Sequence, residues 1–98
     1  MRIYVAADLT LLQALAAGGR VTGLAFRAES DDEGDELAAL EAAAEHGRIV
    51  VVAEVEGSDD SLTLEDVASF HADLDGSGHL AWFATQEIDA VLRVAQEH

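Results

Sequence analysis

The sequence predicts a small α/β domain with the element order β-α-β-α-β-β-β-α and a mixed sheet. Residues 48–56 (R-I-V-V-V-A-E-V-E) contain an unbroken apolar run, which is typical of a central strand covered on both faces. Strand-like and helix-like stretches alternate up to this segment, which predicts crossover connections and largely parallel pairing. The tetrapeptide D-G-S-G at 75–78 indicates a C-terminal β-hairpin, which is followed by a last helix.

The first strand is predicted at residues 2–7 (R-I-Y-V-A-A). A helix follows, with Asp8 or Thr10 as a suitable N-cap and Gly18-Gly19 as its end. Its apolar stripe consists of Leu9, Leu12 and Leu15. These features predict a strand that leads directly into a helix.

The second strand is predicted at residues 21–28, where side chains alternate between two faces. The acidic run 29–36 (E-S-D-D-E-G-D-E) favours the N-terminus of the next helix, because carboxylates stabilise that end of the helix dipole. The helix ends before Gly47. Its predicted inward stripe contains Leu37, Leu40, Ala44 and neighbouring alanines, with Glu41 and Glu45 facing outward.

The segment 64–74 fits two structures. As a strand it places Ala68, Phe70, Ala72 and Leu74 on one face, and as a helix it has a stripe of Leu64, Val67, Ala68 and His71. The strand is preferred, because a type II′ turn centred on Gly76-Ser77 sets Phe70 opposite Phe83 and His71 opposite Trp82. Thr85 then caps a final helix with the stripe Ile88, Val91, Leu92 and Ala95.

Charge and composition limit the classes of function. The 98 residues predict one domain, 1–98, and they carry 20 acidic side chains against 5 basic ones, for a net charge of −15. Such a surface repels nucleic acids and anionic membranes and attracts basic partners or divalent cations, so any protein partner is expected to have a basic surface. A solvated acidic surface that only promotes solubility explains the same composition. The lack of cysteine excludes disulfides and fits a cytoplasmic protein, and the lack of lysine fits either a high-GC genome or adaptation to salt.

Five segments together resemble a family of small actinobacterial proteins that is classed as a domain of unknown function. They are M-R-I-Y-V-A-A-D-L-T-L-L-Q-A-L, the acidic opening of the Ala-rich helix, R-I-V-V-V-A-E-V, V-A-S-F-H-A-D-L and W-F-A-T-Q-E-I-D-A-V-L. The resemblance covers nearly the whole chain and implies a cytosolic protein of a high-GC bacterium. Members of that family have an extra segment where this chain has its D-G-S-G turn. The resemblance implies no activity and no catalytic residues.

Residues 73–80 (D-L-D-G-S-G-H-L) resemble part of a calcium-binding loop. Asp73, Asp75 and Ser77 supply oxygen atoms at alternate positions, as such a loop requires. The twelfth position should be a bidentate glutamate but is Ala84, so most of the affinity would be lost. A polar hairpin turn explains the same residues and is favoured.

An acid/base site is a further alternative. His71 and Asp73 share one predicted strand face with Ser69, Trp82 lies across from His71, and Gln86 and Glu87 are nearby. The favoured explanation is structural, with His71 stacked on Trp82 and hydrogen-bonded to Asp73. Because no nucleophile, phosphate-binding loop or cofactor motif accompanies the histidine, we expect neither a cofactor nor an enzyme.

The function that the sequence favours is a non-enzymatic protein-binding module or accessory subunit. Its contact with the partner is expected at the dense carboxylates before and within the start of the second helix: Asp31, Asp32, Glu33, Asp35 and Glu36. An alternative is an acidic mimic of DNA, in which the clusters at 31–36 and 54–66 imitate a phosphate array and inhibit a nucleic-acid-binding protein.

Overall fold

The computed structural model describes residues 2–56 and 60–97. This part of the chain forms five strands and three helices in the predicted order: β1 Arg2–Ala7, α1 Leu9–Ala16, β2 Leu24–Arg27, α2 Glu33–Ala44, β3 Ile49–Glu54, β4 Val67–Asp73, β5 Leu80–Ala84 and α3 Ile88–Gln96. Short 3₁₀ turns precede β4 and α3, at Leu64–Asp66 and Thr85–Glu87. The α/β class and the order of elements are confirmed, and the segment that fitted both strand and helix is a strand.

The strands form one sheet in the order β2-β1-β3-β4-β5, so the predicted central strand is confirmed. Each of the four described pairings is antiparallel, and the expected parallel pairing is wrong. The reason is that β1 lies between β2 and β3. The segment 17–23 returns the chain to the end of β1, where Leu24 pairs with Ala6, and β2 therefore starts in the opposite direction.

One face of the sheet, which we call the closed face, is covered by α1 and α3. Ile3, Val51 and Phe70 point to this side from three adjacent strands and are fully buried. The two helices contact each other and contribute the predicted stripes, of which the buried members are Leu12, Leu15, Ile88 and Val91. Asp8 is the N-cap of α1, since its carboxylate accepts a hydrogen bond from the Leu11 N–H at 2.8 Å.

The other face, which we call the open face, is covered by α2 where it packs against β2, β1 and β3. The helix packs through the small side chains of Ala39 and Ala43, which lie on Tyr4 and on Val50 and Val52 of β3. Leu40 and Ala44 of the predicted inward stripe pack against the same cluster. Leu37 is misplaced in that stripe, since it is 54% exposed instead of buried.

A β-bulge changes the prediction for the start of β4. Val52 pairs with Ser69 but Ala53 pairs with Val67, so Ala68 has no counterpart on β3. Val67 is therefore buried against the closed face, and Ala68, predicted to share the face of Phe70, is exposed. The extra residue lies at the start of β4, directly after the 3₁₀ turn Leu64–Asp66.

The hairpin between β4 and β5 has the predicted register, with Phe70 opposite Phe83 and His71 opposite Trp82. The tight type II′ turn is wrong, because the last pair is Asp73 with Leu80 and residues 74–79 form a wider loop. Gly76 and Gly78 both have positive φ angles, of 77° and 89°, which glycine adopts without strain.

The predicted ends of two elements shift. β2 starts at Leu24, three positions later than expected, and Val21 forms an isolated bridge with Leu62. α2 ends at Ala44, and Gly47 is needed for close packing: a Cβ there would lie 3.3 Å from the backbone of Ala7. Among the described residues, no helix has the length and hydrophobicity to span a bilayer.

Candidate functional site

A groove of about 350 Å³ runs along the open face between α2 and strands β4 and β5. It exists because α2 packs on β2, β1 and β3, while the open side of β5 lies beyond the helix. Leu37 and Leu40 of α2 form one wall, and Trp82 of β5 lines the other side. The floor contains Ser69 and His71 of β4.

The apolar side chains of the groove are unusually exposed. Trp82 is 62% exposed and Leu37 is 54% exposed. Strand alternation explains the position of Trp82: its neighbour Phe83 packs against the closed-face core, so Trp82 must point to the open face. An exposed tryptophan and leucine in one groove leave apolar surface in contact with water.

The floor of the groove holds a histidine whose hydrogen-bond partner is a serine hydroxyl. His71 lies between Val50 of β3 and Trp82 of β5, and its Nε2 atom is 3.3 Å from the Ser69 hydroxyl oxygen. Burial lowers the pKa of His71 below its ordinary value of 6.5. The imidazole is therefore neutral near pH 7, and the floor carries no positive charge.

One end of the groove is formed by a charged network. The Arg2 Nε atom donates to Glu54 at 2.7 Å, and a guanidinium nitrogen of Arg2 lies 3.6 Å from a Glu36 carboxylate oxygen. Two carboxylates thus surround one cation, which leaves this end negative. Burial and the charge of Glu36 raise the pKa of the Tyr4 phenol, so Tyr4 is protonated there.

The predicted partner-binding carboxylates lie at the start of α2 and continue from this end of the groove. Asp31, Asp32 and Glu33 are exposed, and Asp32 is also the N-cap, accepting from the Gly34 N–H at 2.9 Å. Asp35 accepts a hydrogen bond from the Ser30 hydroxyl. Because Glu36 lines the groove itself, the acidic segment and the exposed apolar side chains form one continuous surface.

The residues of the acid/base hypothesis are not brought together in the groove. His71 lines it, but the Asp73 carboxylate accepts hydrogen bonds from the loop amides of Gly76 and Gly78, at 2.8 and 3.1 Å. Glu87 accepts from the Ala84 N–H at 2.8 Å, next to the 3₁₀ turn. His71 bonds to Ser69 and, within the described residues, is not stacked on Trp82. This geometry gives the enzyme hypothesis no support.

The oxygen atoms of the calcium hypothesis serve as acceptors within the hairpin loop. Asp75 accepts from the Ser77 N–H at 3.0 Å, and the Ser77 hydroxyl accepts from the His79 N–H at 3.2 Å. Hydrogen bonds from Ser77 lower the pKa of Asp75, which stabilises its charged form without a metal. Within the described chain, no group of three or more histidine and carboxylate side chains is arranged to hold a metal ion.

The comparisons with known proteins add no family to this geometry. No family model matches the chain, and neither the curated proteins nor the solved structures contain a significant match. The similarity to a small actinobacterial family remains a prediction. What the protein does has to be inferred from the groove and from the charges around it.

The second acidic cluster of the DNA-mimic hypothesis, at 54–66, includes residues 57–59, which lie outside the described part of the chain. Of its other members, Glu54 and Asp60 form ion pairs with Arg2 and Arg27. Asp66 accepts from the Thr63 N–H at 2.9 Å. These three carboxylates are engaged in intramolecular contacts, whereas Glu56 and Glu65 are exposed, so only part of the described cluster is available as a phosphate-like array.

The groove itself was not foreseen from the sequence, although it contains His71 and Trp82, which were singled out. The residues missed are Leu37 and Leu40, whereas Ser69 lies on the strand face of His71, as expected from the sequence. The signal lay in the alanines of α2: Ala39 and Ala43 are as well placed to face a sheet as the leucines are. Only the packing of the helix decides which set is buried.

Proposed function

We propose that this protein is a non-enzymatic binding module for a protein partner with a basic surface. The observation that carries the proposal is the groove with Trp82 and Leu37, which exposes a large aromatic and an aliphatic side chain next to dense carboxylates. Exposed apolar surface bordered by charge is characteristic of interaction sites.

Trp82 is well suited to contribute to binding. Tryptophan buries a large area with few rotatable bonds, and it is enriched among the residues that dominate the binding energy of interfaces. The backbone of Trp82 is held by pairing of β5 with β4, so only the two side-chain torsions of the indole have to be ordered on contact. The groove therefore offers an apolar contact on a fixed backbone.

The net charge determines which partners can approach. At −15, the protein repels other acidic molecules, including a second copy of itself, and attracts cationic ones. Carboxylates next to the groove increase the rate of association with a basic surface, and this effect weakens as salt is raised. The apolar contact then slows dissociation.

The test is capture of proteins from an extract of the source cells on immobilised wild-type protein and on two charge variants. In the first variant the acidic segment is neutralised, with Asp→Asn at 31, 32 and 35 and Glu→Gln at 33 and 36. The amide introduced at position 32 keeps an oxygen that can cap α2, so folding should be preserved. The control variant changes the same number of exposed carboxylates elsewhere to amides: Glu41, Glu45, Glu65, Asp89 and Glu97.

We expect a basic protein that binds the wild type and the control, is released by salt, and is retained poorly by the first variant and by Trp82→Ala. Equal loss in both charge variants would assign binding to overall charge alone. Capture that is unaffected by every variant, or no specific capture, would contradict the proposal.

A further inference from the structure

We infer that the uncovered half of the open face is a seat for one amphipathic, basic α-helix of the partner, which would lie beside α2. This inference rests on the proposed function and specifies the partner element that the groove receives. It follows from the space on the sheet, from the apolar side chains that border this space, and from the charges at its two ends.

The space fits one helix. Neighbouring strands are about 4.8 Å apart, so five strands span about 19 Å, and a helix with its side chains is about 10 Å wide. A sheet of this width therefore accommodates two helices on each face, and the closed face has them in α1 and α3. On the open face the described chain supplies only α2, and strands β4 and β5 remain beside it.

The apolar contacts of such a helix are already in place. Leu37 and Leu40 lie on the side of α2 that borders the groove, while Ala39 and Ala43 bury the helix on the sheet. Trp82 stands on the opposite side, and the lining between the two sides includes Val52, the small Ser69 hydroxyl and the neutral His71. An apolar stripe with helical spacing can pack between Leu37 and Trp82.

The charges at both ends favour a cationic helix. At one end, Glu36 and Glu54 outnumber the single guanidinium of Arg2. At the other end, where β4 passes into the hairpin loop, the carboxylates of Asp73 and Asp75 outnumber the guanidinium of Arg48, whose Nε atom donates to the Asp73 carbonyl oxygen at 2.8 Å. Lysine or arginine near both ends of the partner helix complements this pattern, whereas a second copy of this acidic chain does not.

The length of the seat sets the length of the partner helix. β4 has 7 residues and, at about 3.3 Å each, is about 23 Å long. A helix rises about 1.5 Å per residue, so about 15 residues span the seat. A different occupant, an extended peptide that adds a strand to the outer edge of β5, would instead use backbone hydrogen bonds.

The probe is a synthetic peptide of about 15 residues, with leucines at helical i, i+3, i+4 and i+7 spacing and with lysine and arginine elsewhere. It contains no tryptophan, so the single Trp82 of the protein reports binding. A second peptide has the same composition in an order that forms no stripe. We expect the first peptide to shift the emission of Trp82 to shorter wavelength, to protect it from acrylamide quenching and to become helical. The second should bind at least about tenfold more weakly.

Protein variants locate the site. Leu37→Ala should weaken binding of the first peptide by about tenfold, because it removes one wall of the seat. Leu74→Ala is the matched control, since Leu74 is also exposed, at 47%, but lies in the hairpin loop. It should bind like the wild type. Circular dichroism melts of both variants verify that the fold is intact.

Three results would overturn the inference: equal affinity for the two peptides, a bound peptide that is extended instead of helical, or equal affinity of Leu37→Ala and Leu74→Ala. The first peptide could fail to bind while a basic protein is still captured through Trp82. That result would contradict the helical occupant but not the proposed binding of a protein partner. Failure of both experiments would contradict both proposals.

Discussion

The two faces of the same sheet differ in how completely the chain covers them. On the closed face, α1 and α3 bury the inward side chains of β1, β3 and β4, including the fully buried Val51 and Phe70. On the open face, α2 buries Val50 and Val52 of the central strand, but Trp82 of the edge strand remains 62% exposed. The difference separates residues that stabilise the fold from residues that are available for contact.

The same difference is visible along the strands. β3 (I-V-V-V-A-E) is apolar on both faces, as a strand covered on both sides requires. β4 (V-A-S-F-H-A-D) places Ser69, His71 and Asp73 on its open side and Phe70 on its closed side. Alternation of this kind is typical of a strand with one solvated face. The sequence of β4 therefore matches the half-covered position that it occupies.

The largest expected effect is on the closed face. Changing Val51 to Asp should unfold the domain, because it places a charge without a partner in a fully buried position, at a cost of several kcal/mol. Circular dichroism and urea denaturation measure the loss. Ala68→Asp is the control, since Ala68 is exposed at the bulge and should tolerate the change. A folded Val51→Asp variant of normal stability would mean that the central strand is misplaced.

The second prediction compares two aromatic residues of one hairpin. Phe70→Ala should lower the free energy of unfolding by about 3–5 kcal/mol, because it leaves a cavity among fully buried side chains. Trp82→Ala should lower it by less than about 1 kcal/mol, because the indole is mostly in water already. Urea denaturation monitored by circular dichroism measures both changes in unfolding free energy. This readout does not depend on tryptophan fluorescence, which the Trp82→Ala variant lacks.

The comparison would fail if Trp82→Ala were as destabilising as Phe70→Ala. In that case the indole would contribute to the core, and its exposure could not be interpreted as a binding surface. If the prediction holds, loss of peptide binding in Trp82→Ala can be assigned to the lost contact and not to unfolding.

Features of the fold that depend on residues close together in the sequence could be predicted, and features that depend on distant residues could not. The central strand, the cap at Asp8 and the register of the β4–β5 hairpin depend on neighbouring residues, and all three are confirmed. The pairing of β1 between β2 and β3 depends on how the segment 17–23 folds back, and periodicity carries no information on that. The β-α-β pattern therefore predicted parallel neighbours wrongly.

The candidate site was predicted only in part for a related reason. Strand alternation places His71 and Trp82 on one face, so their proximity could be foreseen. The position of Leu37 could not, because it depends on the rotation of α2 about its axis. Helix periodicity allowed both the leucine and the alanine stripes to face inward, and the close approach of Ala39 and Ala43 to the sheet selects the alanines.

The smallest expected effect is the pH dependence that His71 adds on the open face. Its pKa is lowered by burial, so the unfolded chain binds the proton more readily than the folded protein. The stability due to neutral His71 is therefore complete above about pH 6.5 and decreases as the pH falls through the unfolded pKa towards the folded one. Below the folded pKa, the contribution of His71 to stability no longer changes with pH. The effect is modest because the ring is only half-buried.

His71→Gln isolates this contribution, since glutamine does not titrate and the carboxylates are the same in both proteins. The charged and titratable groups that line the groove with His71 are Arg2, Tyr4 and Glu36, and they are retained as well. Between about pH 7 and pH 5.5, urea denaturation should show the wild type losing stability relative to the variant. A bound basic helix buries the ring further and adds cations beside it, so peptide affinity should also decrease over this range. If the wild type instead gained stability relative to His71→Gln on acidification, the protonated ring would have an acidic partner, and the open face would be more polar than the structure shows.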